Sequence, residues 1–446
     1  MPLILGTNSI KDTGFDVANS CRFESAYLNK SVTASSSTSW TLSFWIKIHS
    51  HSSSAEGYLW SCGSSSAGQG FYISTTSYLG YYGGSGYGSD SSVTNGVLRD
   101  PSAWYHVVFK VSSGTGTTYI NGTQQTGTVS SVAPLNAHTG DEMTVNTYTA
   151  DKAGYDDCKC SLAEYCFIDG TAYSASDFGE FDEDSPRIWK PKDVSGLTFG
   201  TNGFYLDFED SSALGDDAKG SFDFTVNSIA TTDQSTDTPT NNWCTWNALT
   251  PYSSDITLSE GNLNVTMGGT SRGIFATIGV SSGKWYYESK WVSGTYFQTG
   301  VVATDKMNDN DDVYGGKTGG FMYAQSGKIR SGGSDLATAT SLSTGNIIGV
   351  ALDMDNGFVY FALNGTWQNS GDPESGATGT GGHDISAYSE YTFGCAPTSA
   401  VLSGNFGSPS YANSSDAADA NGYGAFEYAP PSGYYALCTK NLAEYG

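Results

Sequence analysis

The stretch GNIIGVALDMDNGFVYFALNGTW, residues 345–367, decides the fold. Ile347, Ile348, Val350 and Leu352 run into Asp355-Asn356-Gly357, and Phe358, Val359, Tyr360, Phe361 and Leu363 run out toward Asn364-Gly365. Apolar runs separated by Asp-Gly or Asn-Gly signals spell a β-hairpin, because these residues supply the positive φ angles of tight turns. Apolar residues on both alternations predict strands buried on two faces, as in the middle of a sandwich. The pattern occurs twice. Val107, Phe109, Ile120, Asn121, Gly122 and Thr123 align without a gap under Val350, Leu352, Leu363, Asn364, Gly365 and Thr366. The expected fold class is all-β, with two tandem antiparallel β-sandwich domains.

A chain of 446 residues accommodates two such domains of roughly 200 residues each. Abundant Tyr and Phe, 56 glycines and only 15% charged residues fit strands joined by many turns. No apolar run approaches the roughly 18 residues of a membrane span. Pro2 to Leu5 is too short for a secretory h-region and no basic residue precedes it, so export by a signal peptide is not expected. A net charge of −25 without clustered Lys or Arg argues against nucleic acid as a partner. The eight cysteines lack framework spacing and read as reduced core residues. Of five N-x-S/T sequons, those at Asn121 and Asn364 are already explained as turns.

Residues 1–19 lack periodicity and read as an N-terminal arm that docks on a partner or pairs with a strand edge. Residues 20–210 form the first domain. Trp40, Leu42, Phe44, Ile46 and Ile48 mark a half-buried strand, and in a later strand Leu162, Cys166 and Ile168 alternate with Ala163, Tyr165 and Phe167. Residues 211–250 are a polar connector fixed at DTPTNN, 237–242, with an edge strand around Phe222 to Val226. Residues 251–446 form the second domain with its closing strand.

Cys21-Arg22-Phe23, WTLSFW at 40–45, Trp104-Tyr105-His106, and Leu162-Ala163-Glu164 followed by Phe167-Ile168-Asp169-Gly170 resemble a laminin G-like, concanavalin-type jelly roll. Phe204 to Phe208 would be its closing strand. GKWYYE at 283–288, Gly300-Val301-Val302 and residues 345–365 resemble a SPRY domain, itself a two-sheet sandwich. The order of arm, laminin G-like domain, DTPTNN connector, SPRY domain and ALCTKN tail, 436–441, resembles virion fibre or tail-associated proteins of marine bacteriophages. That resemblance implies a virion location, assembly in the host cytoplasm with other virion proteins, self-association into a homo-oligomer, and contact with a host-surface glycan or protein. A purely architectural or capsid-decoration protein is the first alternative, a bacterial lectin-like adhesin the second and a glycosidase the last.

Enzymatic chemistry would need paired carboxylates, since jelly rolls host glycosidases with two acids about 5–10 Å apart. Glu180 and Asp182 begin such a pattern, but the third acid falls out of phase and the flanking Gly179 and Pro186 read as loop. No catalytic residues are expected, and His106, in an alternating strand, reads as structural. Asp309, Asp311 and Asp312, with Asn308 and Asn310, crowd one loop with hard oxygen donors. A solvated acidic loop without metal is the expected reading, calcium is the ion it would take in the alternative, and no cofactor is otherwise implied. Cys158, Cys160 and Cys166 are three thiols without a fourth ligand for zinc. Tyr78, Tyr81, Tyr82 and Tyr87, interleaved with Gly and Ser, are ligand-contact candidates, because flat amphipathic rings stack on sugars or pack on a neighbouring subunit. The SPRY resemblance adds residues 312–314 and 367–372, including Tyr314 and Trp367.

Overall fold

The computed structural model describes residues 12–33, 35–50, 56–64, 67–83, 90–94, 96–134, 141–149, 158–249, 255–269, 273–307 and 318–446. They divide into two compact units at residues 241 and 242, each with its own apolar core. The first unit contains β1 (Ser20–Phe23), β2 (Tyr27–Ser31), β3 (Trp40–Ser50), β4 (Gly57–Ser64), β5 (Ala67–Ile73), β6 (Leu79–Tyr82) and β7 (Asp90–Ser92). It continues through β8 (Trp104–Ser112), β9 (Thr115–Ile120), β10 (Thr123–Ser130), β11 (Glu142–Val145) and β12 (Lys159–Asp169). One sheet runs β10-β9-β8-β3-β12-β1 and the other β2-β11-β4-β5-β6-β7.

The second unit contains β13 (Asn264–Met267), β14 (Ile274–Val280), β15 (Lys284–Tyr296), β16 (Gln298–Ala303), β17 (Gly320–Ala324), β18 (Lys328–Ser331) and β19 (Ser334–Thr338). After these come β20 (Ile347–Asp353), β21 (Phe358–Leu363), β22 (Thr366–Trp367), β23 (Tyr391–Cys395) and β24 (Thr398–Asn405). Its sheets run β22-β21-β20-β15-β24-β13 and β14-β23-β16-β17-β18-β19. Strand for strand, this is the winding of the first unit: β1 to β12 correspond in order to β13 to β24. Both units are antiparallel sandwiches of jelly-roll type.

The paired hairpins show why the sequence echo is so clear. Ile120 pairs Thr123 around Asn121 and Gly122, with φ of 47° and 72°; Leu363 pairs Thr366 around Asn364 and Gly365, with φ of 47° and 76°. Both are two-residue turns with positive φ at each centre. In each, the Asn carbonyl oxygen accepts a strand N–H, from His106 at 2.8 Å and from Ile347 at 2.9 Å. The gapless alignment is corrected at the other end of the hairpin. Val107 pairs Ile120 and Ile348 pairs Leu363, so Val107 matches Ile348, two residues before the alignment partner Val350. The difference lies in the tips. Ser112 pairs Thr115 across two residues, whereas Asp353 pairs Phe358 across four. A two-residue slip preserves which face each side chain occupies, and is therefore silent in the hydrophobic pattern. The longer tip takes positive φ at Gly357 only; Asp353 organises it by accepting both the N–H and the Nδ2–H of Asn356.

Strand β12 departs from simple alternation. Its register with β3 shifts between Ala163 and Cys166, and Glu164 takes a φ of 49°. This bulge turns Leu162, Tyr165 and Phe167 to the core, and Ala163, Cys166 and Ile168 to the outer face. The expected grouping of Leu162 with Cys166 and Ile168 is thus broken by one extra residue.

The larger sheet of each unit has a second apolar face, and each unit covers it with its own chain. In the first, Phe15, Val17, Ala175, Phe178, Val194 and Phe199 lie over Trp45, Val108, Cys166 and Ile168. In the second, Phe426, Tyr434 and Ala436 lie over Tyr286, Ala351 and Tyr360. The covers also roof the Asn-Gly turns. A Cβ on Gly122 would stand 2.3 Å from the Trp189 ring, and one on Gly365 2.5 Å from the Tyr428 ring.

The segment boundaries differ from those read in the sequence. Residues 12–19 dock on the first sandwich: Val17 is buried and its N–H reaches Thr240 Oγ1 at 3.0 Å. Residues 1–11 lie outside the described residues. The expected connector belongs to the first sandwich up to residue 241. Thr225–Asn227 is an edge strand on β2, Phe204 stacks on Phe222 and meets Phe224 edge to face, and Gln234–Ser235 pairs β1. Asp237 of DTPTNN accepts from Lys47 Nζ at 2.7 Å and from Trp104 Nε1 at 2.9 Å. Asn242 begins the second unit, bonding Thr439 of the ALCTKN tail through N–H and C=O.

Replacing Gly122 or Gly365 by Ala places a Cβ at positive φ against an aromatic ring. Each substitution is expected to lose at least about 1–2 kcal/mol in denaturant unfolding. Phe361→Ala, which empties a core position, should lose about 3–5 kcal/mol in the same measurement.

Candidate functional site

The groups that could carry chemistry are largely occupied within the scaffold. Ser43 and Glu288 take the same place on the central strands β3 and β15, since Ser43 pairs Val108 and Glu288 pairs Gly349. Both face the outer layer, where Glu288 holds its cover directly and Ser43 acts through His106. His106 lies next to Ser43, between the rings of Trp45 and Trp189 at 4.9 and 6.0 Å. Indole N–H can only donate, so the Trp189 Nε1–H, 3.0 Å from Nδ1, assigns the imidazole proton to Nε2, which donates to Ser43 Oγ at 2.9 Å. Burial pushes the His106 pKa down to about 3, which keeps it a neutral, structural ring.

Glu288 is fully buried and receives four donors. Its Oε1 accepts from the Tyr286 hydroxyl and Tyr428 N–H, and its Oε2 from Asn405 Nδ2 and Glu427 N–H, over 2.8–3.2 Å. Burial raises its pKa to about 7, against the lowering effect of these bonds. In the first unit the bulge residue Glu164 accepts from the Tyr205 hydroxyl at 2.7 Å, and burial raises it to about 8. Asp419 likewise accepts from the N–H groups of Asn421, Tyr423 and Ala436 and from Asn441 Nδ2, fixing the ALCTKN tail. For Glu164 and Glu288 the sequence signal is an acid inside an otherwise apolar strand; Asp419 lies outside any strand and carries no such signal.

Glu180 and Asp182 lie on and beside a short hairpin, Gly179–Phe181 with Trp189–Pro191. Asp182 accepts from Ser185 N–H at 2.7 Å and pairs Lys190 at 3.1 Å, which hold its carboxyl below the usual range. Glu180 is half exposed, about 4 Å from Lys190 and Lys192. Asp182 is thus kept as a carboxylate, which does not suit it to donate a proton as a general acid.

The tyrosine candidates do not converge. Residues 79–82 form a strand, whose period of two sends neighbours to opposite faces. Tyr81 is correspondingly a core residue, fully buried against Phe109 with its hydroxyl on Gln69 Oε1 at 2.7 Å, and is no ligand contact. Tyr82 is half-buried, edge-on to Tyr148 in a cluster with Tyr58 and Tyr72. Tyr78 is 37% exposed at the β5–β6 turn. Trp367 is half-buried against the outer-layer cluster of Tyr286, Tyr360 and Phe426, so it belongs to packing rather than to an open rim. Tyr87, Tyr314, Asp309, Asp311 and Asp312 lie outside the described residues.

Among the described residues no group of three or more His, Cys, Asp or Glu side chains is placed to hold a metal. Cys158 and Cys160 point into the core, whereas the β12 bulge turns Cys166 to the opposite face, so the three thiols cannot meet on one ion. No helix among the described residues is long and apolar enough to cross a membrane.

Residues 24–158 match the laminin G-type model of the concanavalin A-like lectin/glucanases superfamily, and residues 284–374 match the SPRY domain model. The domain order is thus laminin G-like, then SPRY-like. No curated protein sequence matches the chain. Among solved structures, the SPRY domain of human HERC1 is 15% identical, covering 33% of this chain and 91% of its own, with a TM-score of 0.27. A candidate carbohydrate binding protein from Bacteroides ovatus is 16% identical, covering 48% of this chain and 60% of its own, at 0.36. A heptameric SAP-like pentraxin from Limulus polyphemus is 15% identical, covering 48% and 97%, at 0.30.

The titrations carry a sign. Glu164 and Glu288 have folded pKa values of about 8 and about 7, above the ordinary 4.5, so their contribution is fully present below about 4.5 and lost as pH rises through 7 to 8. His106 and His49 are lowered by burial from 6.5, so their contribution is lost as pH falls below 6.5. From pH 6.5 to just above 8 these carboxylates act unopposed by the histidines, and the melting midpoint should fall as pH rises. Glu164→Gln, whose amide oxygen still accepts from Tyr205, should flatten that fall for the first unit in thermal melts across the same window.

Proposed function

We propose that this chain is a non-enzymatic binding protein of a virus particle, a fibre or tail-associated component that contacts a host-surface glycan or protein. The observation that carries this reading is how the buried polar groups are used. His106, Glu164, Glu288, Asp237 and Asp419 each hold one piece of scaffold to another, while Tyr78 stays exposed at a strand turn. A rigid sandwich that presents an amphipathic ring at a turn is suited to recognition.

The laminin G-like and SPRY-like domain order fits a binding role, and the lectin branch of the first superfamily favours a sugar as ligand of the first unit. The virion assignment rests on the resemblance of the domain order and tail to marine phage structural proteins. Many copies on one particle would convert weak single sites into firm attachment without new contacts. A purely architectural role, in which the turns meet other particle proteins, is favoured by one observation: Tyr82 and Trp367 pack against the chain's own aromatic clusters.

Glycan-array and host-cell binding of the purified chain test the reading. Tyr78→Ala is expected to weaken binding by about tenfold or more, near 1.4 kcal/mol, with an unchanged melting midpoint. Loss of binding to every glycan and cell, together with labelled particles that carry the chain, would favour the architectural role. Absence of the chain from purified particles would sink the virion assignment.

A further inference from the structure

The seven-residue helix α1 (Thr439–Tyr445) packs against the second sandwich through Leu442 and brings Tyr445 onto Tyr435. Tyr435 is fixed by strand pairing, since Tyr435–Ala436 runs parallel to β15 with Tyr435 opposite Trp285. Tyr445 is fixed by the helix end, which sits so close to Gly283 that a Cβ there would stand 2.5 Å from the Tyr445 carbonyl oxygen. The two rings are 3.9 Å apart at their centroids and within 8° of parallel. The Tyr445 hydroxyl donates to Asn421 Oδ1 at 3.4 Å, a further contact that holds its ring in place. Near-parallel rings at this separation lay the ring carbons of one tyrosine over those of the other.

We propose that Tyr435 and Tyr445 form an oxidative cross-linking site, where a dityrosine bond staples α1 to the sandwich. Each phenol gives up one electron and one proton to become a tyrosyl radical. The radicals couple at one Cε from each ring, forming a carbon–carbon bond. Each coupled carbon then loses its hydrogen as a proton and each oxygen regains one, so the net change is two electrons and two protons. A peroxide supplies the oxidant: hydrogen peroxide, acting through a haem peroxidase, takes up these electrons and protons and leaves two waters.

Geometry and access single out this pair. Both rings are half-exposed, so an oxidant can reach them. Among the described residues the next closest tyrosine pair, Tyr58 with Tyr148, is 4.6 Å apart, tilted by 36° and buried on both sides. Holding the partners in contact raises their effective concentration far above that of tyrosines on separate molecules.

The purified full chain, treated with a haem peroxidase and hydrogen peroxide, tests the site. The expected product is a monomer lighter by two hydrogens, with dityrosine fluorescence and a proteolytic fragment joining residues 435 and 445. Tyr445→Phe keeps a stacking ring but no phenol, and should lose all three signals; Tyr148→Phe should keep them. Failure of the 435–445 link while free tyrosine couples in the same mixture would overturn the proposal. So would coupling that occurs only between chains or only at other tyrosines.

Discussion

A strand that is apolar on both sides cannot end its packing at one core. The larger sheet of each unit meets this constraint, and much of the remaining chain answers it. One face closes against the smaller sheet; the other requires a cover made of local chain. Phe15, Val17, Phe178 and Phe199 do this in the first unit, and Phe426 with Tyr434 in the second. Covers made of irregular chain have backbone groups to satisfy, and the buried polar residues supply the partners. Glu288 takes the N–H groups of Glu427 and Tyr428, and Asp237 locks the end of the first unit through Lys47 and Trp104.

Much of this architecture is legible from residue type alone, because alternation and turn chemistry are local. The two Asn-Gly hairpins announce two copies of one winding, and the cores follow from their apolar positions. What escapes notice is whatever leaves the period of two unchanged or breaks it by one. The four-residue tip after Asp353 shifts the second hairpin by two and goes unseen. The bulge at Glu164 shifts β12 by one and reverses the faces of Cys166 and Ile168. Composition misled at Tyr81, where glycine and tyrosine read as a loop although Leu79 and Tyr81 alternate into the core. The polar stretch after residue 210 read as a connector because its few aromatics, Phe222 and Phe224, pack against Phe204, distant in the pattern.

The same division separates scaffold from function. Acids and a histidine that could have been taken for an active site are spent on holding covers in place, and three of them are shifted in pKa by burial rather than by a reacting partner. In the proposed binding role, recognition falls to the exposed turns, where side chains change without disturbing either core.

The Asn-Gly turns have one more consequence, for how the molecule ages. An asparagine before glycine is the sequence most open to deamidation, because the glycine nitrogen can attack the side-chain carbonyl and expel ammonia, and water then opens the cyclic imide to aspartate or isoaspartate. In Asn121 and Asn364 that carbonyl is held by a strand N–H, from His106 and Ile347. The bond that keeps each hairpin in register also holds the carboxamide back from its own backbone. At these two turns, strand register and resistance to deamidation rest on the same contact.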